Sequence, residues 1–147
     1  MKLQTAAEAI SFAKQLENES ANFYQDLSQK CDQDKDIFLS FAKENGKNIT
    51  EIERAYYGVI TDAIEGCFAF SVEADDYRLE TALADRDSYS IAINKAIEVE
   101  EMLVKFYSEA AEQSKGLMAD VPRVFRIIAK RRNNRISKLR SLVENRG

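Results

Sequence analysis

There is no histidine in this chain. Every metal centre or acid–base mechanism that needs an imidazole is therefore excluded at the outset. Proline occurs once and glycine five times in 147 residues. So few breakers favour long uninterrupted helices over a turn-rich β fold. Two cysteines, Cys31 and Cys67, stand apart with no C-x-x-C pair. That argues against a disulfide framework and for inert thiols in a cytoplasmic protein. No run of about 18 apolar residues exists, so no transmembrane span is expected. The opening MKLQTAAEAISFAKQ lacks a continuous apolar stretch and reads as a helix start, not a signal peptide. The net charge is −4, which gives little overall attraction to nucleic acid.

What the chain does have is helical periodicity. Apolar residues make up 45% of it, enough for one sizeable core, and residues 1–147 are read as a single domain. A first helix is expected over 5–29, with Leu3, Ala6, Ile10, Ala13, Leu16, Ser20, Tyr24 and Leu27 on one stripe. Thr5 and Glu8 suit a capping box at its start. A second helix is expected over 35–57 and a third over 88–113. A fourth follows Asp120, with Pro122 in its first turn, where a missing N–H costs nothing. Residues 58–87 are too long for a tight turn and read as a crossover with one or two short helical turns. The expected fold is an all-α antiparallel four-helix bundle with that crossover between helices two and three.

The stripes are interrupted at matching depth. Glu17, Asn45 and Asn48, Glu100, and Arg132 and Arg135 each occupy a position that the periodicity assigns to the core. A buried charge or amide needs a partner, so four interruptions at one level point to one internal site. The two halves also repeat. Glu17, Phe23 and Tyr24 match Glu100, Phe106 and Tyr107 in spacing. Phe38, Ala42, Asn45 and Asn48 match Phe125, Ala129, Arg132 and Arg135.

The paired motifs ENESANFY at 17–24 and EEMLVKFY at 100–107 resemble the rubrerythrin branch of the ferritin-like di-iron carboxylate superfamily. The resemblance covers nearly the whole chain apart from the crossover. It implies a ferritin-like bundle in which Glu-x-x-His motifs on helices two and four join two single glutamates around two irons. Carried over residue by residue, Glu17 and Glu100 match ligands. Asn45 and Asn48 stand at one Glu-x-x-His motif, and Arg132 and Arg135 at the other.

Two arginines can supply positive charge where the metals would sit, with forked donors for the two carboxylates, and Asn45 and Asn48 can complete the network. The reading is a degenerate site with no metal, in a non-catalytic bundle with a structural or partner-binding role. The alternative is a di-metal, iron-binding oxidoreductase or peroxidase of the rubrerythrin type. It would use Glu17 and Glu100 with extra carboxylates such as Glu44 or Glu51. Tyr24, Tyr56 and Tyr107 are expected as core residues with satisfied hydroxyls. The basic run KRRNNRISKLR at 130–140 is expected to be partly inward-facing and not a nucleic-acid surface. A homodimer is expected, because Phe12, Phe23, Phe106, Phe68 and Phe70 exceed what one bundle seam needs.

Overall fold

The computed structural model describes residues 1–57, 68–115 and 120–146. Four helices dominate them: α1 (Ala6–Lys30), α2 (Lys35–Tyr57), α3 (Tyr89–Ser114) and α4 (Val121–Arg146). The expected bounds hold to within one or two residues. Thr5 caps α1 as its spacing to Glu8 requires. The Glu8 amide donates to Thr5 Oγ1 at 3.2 Å, and the Thr5 amide donates to Glu8 Oε1 at 3.1 Å. Ser88 caps α3, accepting from the Ile91 amide. A 3-10 turn over Asp32–Asp34 joins α1 to α2.

Side-chain pairings fix the directions. Residues 17 and 24 of α1 meet 107 and 100 of α3. Residues 44 and 51 of α2 meet 135 and 131 of α4. Both pairs run antiparallel, as do α1 with α2 and α3 with α4 across their short connections. Helices α2 and α3, joined by the long crossover, therefore lie parallel on a diagonal. No helix among the described residues is long and apolar enough to cross a membrane.

One element differs from the all-helical expectation. Strand β1 (Lys2–Thr5) pairs antiparallel with β2 (Phe68–Glu73), Leu3 opposite Val72. Leu3, Phe70 and Val72 are buried against the helices, so this small ribbon belongs to the core. The alternation of FAFSVE is a period-two signal. Leu3, by contrast, fits the α1 stripe equally well, which hides β1. After β2 a 3-10 turn over Ala74–Tyr77 sets the Tyr77 ring edge-on to Phe106, 5.4 Å between centroids. Lysines pin the chain that follows. Lys30 Nζ donates to the Ala84 and Asp85 carbonyls, and Lys95 Nζ to the Ala82 carbonyl and to Asp87.

Four of the five phenylalanines that suggested a dimer pack within the protomer. Phe23, Phe70 and Phe106 are buried within the protomer, and Phe12 packs edge-on to Phe106. The Phe68 side chain and Cys67 lie outside the described residues. The structure gives no support to the expected homodimer from the described phenylalanines, which pack within the protomer.

The core divides into two apolar clusters. One holds Leu16, Ile52, Leu103 and Phe125, and the other Phe23, Phe38, Ile93 and Leu139. Between them lies a layer of buried polar side chains. Gly46 faces outward on α2, with nothing within 4 Å of where a Cβ would stand. Gly46→Ala should therefore raise unfolding free energy by about 0.8–1 kcal/mol, measured by urea denaturation, since only helix propensity changes.

Candidate functional site

The polar layer contains all six residues singled out by the broken stripes. Glu17, Asn45, Asn48, Glu100 and Arg132 are fully buried and Arg135 is 2% exposed. Each helix delivers its member because the apolar residues a turn away on either side must face the core.

Arg132 sits at the centre. Its Nη2 donates to Glu17 Oε2 at 2.5 Å, and its Nη1 donates to Glu100 Oε1 and Oε2 at 3.0 and 2.9 Å. The same fork reaches Ser20 Oγ and Asn45 Oδ1, each at 3.0 Å. One guanidinium thus bridges two carboxylates on α1 and α3. Within this guanidinium, Nε has no acceptor. Burial opposes the charge on this group. The negative charges of Glu100 and Glu17 outweigh that and hold it protonated well above its ordinary range.

The frame around Arg132 follows the sequence repeat. Tyr24 of α1 donates to Glu100 Oε2 at 2.6 Å, and Tyr107 of α3 donates to Glu17 Oε2 at 2.6 Å. Each helix lends its tyrosine to the other's glutamate, because antiparallel helices bring the residue seven positions on opposite the partner's carboxylate. Burial, then the facing carboxylate, pushes both phenols well above their usual range. Both stay protonated and act as donors.

The occupants break the symmetry of the frame. Asn48 Nδ2 donates to Glu17 Oε1 at 3.0 Å, and Asn45 Nδ2 to Ser20 Oγ at 3.2 Å. At the corresponding positions of α4 stand the two arginines. Arg135 donates from Nε and Nη2 to Glu44 Oε1 at 3.0 and 2.9 Å. Its Nη2 also reaches the Phe41 carbonyl and Asn45 Oδ1, and its Nη1 lies 3.5 Å from Glu100. The guanidinium stacks near the Phe41 and Tyr24 rings, 4.8 and 5.5 Å from their centroids. It does not run out to solvent. The four deeply buried charges balance two against two.

An outer pair extends the network. Arg131 binds Glu51 through both Nη atoms, at 2.6 and 3.1 Å, and donates to Asn48 Oδ1 at 2.9 Å. The Arg131 hydrogen bonds hold the Glu51 carboxyl below its usual range. Glu44 and Glu51, the candidate extra metal ligands, are thus both committed to arginines. Ser20 and Arg131 escaped the sequence reading as participants. Ser20 was visible as a hydroxyl on the α1 stripe. Arg131 points about 100° away from Arg132 around the helix and carried no stripe signal.

This donor set does not suit a metal pair. Every oxygen of Glu17 and Glu100 already accepts from an arginine, a tyrosine or an asparagine. No group of three or more His, Cys, Asp and Glu among the described residues could hold an ion. A cation entering here would displace or face two guanidinium groups. The central residues of the layer are sealed from solvent. Cys31, the other chemically reactive candidate, is a buried free thiol at the end of α1. Burial raises its pKa, which lowers its reactivity. Comparison of the chain with family models, with curated proteins and with solved structures returned no match.

Proposed function

We propose that this chain is a rubrerythrin-like, ferritin-like bundle in which a salt-bridged polar network has taken the place of the di-iron centre. It acts without catalysis, through its surface, in a structural or partner-binding role in the cytoplasm. One observation carries the reading: the Arg132 guanidinium bridges Glu17 and Glu100, the two residues that match the family's single-glutamate ligands. A cation built into the chain supplies the charge that a metal would otherwise supply, and it cannot dissociate. The paired Tyr24–Glu100 and Tyr107–Glu17 bonds support descent from a duplicated helix pair whose frame outlived its chemistry.

The test is metal content. Protein purified after growth in iron-supplemented medium should hold far less than one equivalent of iron or manganese per chain. Incubation with ferrous iron in air should give no ferroxidase or peroxidase turnover above buffer. Iron approaching two equivalents per chain would overturn this reading in favour of the di-iron oxidoreductase.

A further inference from the structure

After the 3-10 turn at Ala74–Tyr77 the chain runs as a strap across α1 and α3. Burial alternates along it from Tyr77 to Ala84. Leu79, Thr81 and Leu83 turn half inward, and Arg78, Glu80 and Ala82 turn outward. That period of two is the mark of extended backbone, and Arg78 is itself extended, at φ −71° and ψ 128°. Yet the strap pairs with no strand. From Arg78 to Leu83 its backbone makes one hydrogen bond among the described residues, accepted by the Ala82 carbonyl from Lys95 Nζ of α3. The β1–β2 ribbon holds one end, and Lys30 and Lys95 hold the other. An exposed row of unpaired N–H and C=O groups kept in extended form is a template for strand addition.

Two grooves follow one another along the α1 edge of this strap. The first, of about 510 Å³, has an apolar floor of Leu3, Phe12, Leu16 and Leu79. The second, of about 1030 Å³, is bounded by Leu83 and Tyr89. Seven carboxylates line the two grooves, against the side chains of Arg78 and Lys30 and the amino terminus. Glu8 caps α1, Asp75 pairs with the amino terminus and lies 3.9 Å from Arg78, and Asp87 holds Lys95. Lys30 is committed to the Ala84 and Asp85 carbonyls. Glu19, Asp26, Asp32 and Asp85 have no ion pair among the described residues.

We propose that an extended basic segment of a protein partner adds as a strand to the α1 edge of Arg78–Leu83. Its lysines or arginines meet Glu19, Asp26, Asp32 and Asp85, and an apolar side chain enters the groove over Phe12 and Leu16. This rests on the partner-binding reading above and names the partner's chemistry. Main-chain hydrogen bonds hold any extended peptide, and the carboxylates select a basic one. The same carboxylates repel a polyanion such as nucleic acid.

The test uses the full chain and a short labelled peptide that alternates lysine with leucine and valine, followed by fluorescence anisotropy. The peptide should bind saturably, and its affinity should fall about tenfold or more when salt rises from about 0.05 to 0.3 M. The double variant Glu19→Lys/Asp26→Lys should weaken it by at least about tenfold. Glu53→Lys/Glu112→Lys makes the same change in net charge on α2 and the end of α3, and should leave affinity within about twofold. Circular dichroism checks that each variant keeps its helices. Methylating the peptide's backbone nitrogens at alternate residues should abolish binding in one register and spare it in the other, because a strand offers one edge to the strap. Absence of peptide binding, equal loss in the two double variants, or indifference to methylation in both registers would overturn the proposal. Metal analysis of the same preparation separates the two claims. Iron-free protein that ignores the peptide sinks the docking surface alone, and iron-loaded protein sinks the non-catalytic reading alone.

Discussion

Arg132→Leu is expected to cost about 3–5 kcal/mol of unfolding free energy at neutral pH, among the largest effects of any single change in this chain. The guanidinium is fully buried and serves Glu17, Glu100, Ser20 and Asn45 at once. Leucine fills some of the volume but leaves two buried carboxylates without their shared cation. Tyr24, Tyr107 and Asn48 still donate to them, and Arg135 still lies 3.5 Å from Glu100. Those contacts limit the loss without removing it. Adding Glu17→Gln and Glu100→Gln to Arg132→Leu should recover much of the stability. The uncompensated charge is what destabilises, not the missing side chain. Urea denaturation of the wild type, the single variant and the triple variant measures this. A single-variant loss under about 1 kcal/mol, or a triple variant no better than the single, would contradict the central role given to the ion pair.

Stability should fall steeply above about pH 10, at about 2.7 kcal/mol per pH unit from two tyrosines alone. The Tyr24 and Tyr107 phenols are raised well above their usual value by burial and then by the facing carboxylates. Below the unfolded phenol's pKa both states hold the proton, and the contribution is fully present. Above it the unfolded chain releases two protons that the folded chain keeps, so unfolding becomes progressively favoured until the folded pKa is reached. Tyr77, raised mainly by burial, adds to the slope. The Tyr24→Phe/Tyr107→Phe variant isolates the effect. It should start less stable at pH 8, because two buried carboxylates each lose a donor. Its alkaline slope should be shallower by about the stated amount. Equal slopes in wild type and variant would contradict the buried, carboxylate-bonded placement of these rings.

The polar layer was legible before the structure because two independent signals coincide on it. Helical periodicity assigns Glu17, Asn45, Asn48, Glu100, Arg132 and Arg135 to the core, and their polarity forbids leaving them there unpaired. Thr5 with Glu8 was legible for a similar reason, a local pattern with a local mechanism. What escaped depends on long-range pairing. Nothing near Leu3 announces that it lies opposite Val72 in a ribbon. Without that ribbon and its strap, Phe70 and Phe106 look like surplus apolar surface. The choice of partner within the network was equally hidden. Glu44 and Glu51 sit on α2 at positions that suit a metal or an arginine equally. Only the packing of α4 against α2 brings Arg135 and Arg131 to them.

Under the proposed reading, Arg132 stands where a di-iron bundle of the rubrerythrin type would hold metal. A crystal structure of protein grown and crystallised with ferrous iron, with anomalous data collected at the iron edge, tests it most directly. The account predicts continuous side-chain density for Arg132 between Glu17 and Glu100 and no anomalous peak within the polar layer. Anomalous peaks bridged by Glu17 and Glu100, with the Arg132 guanidinium turned away from both, would contradict it.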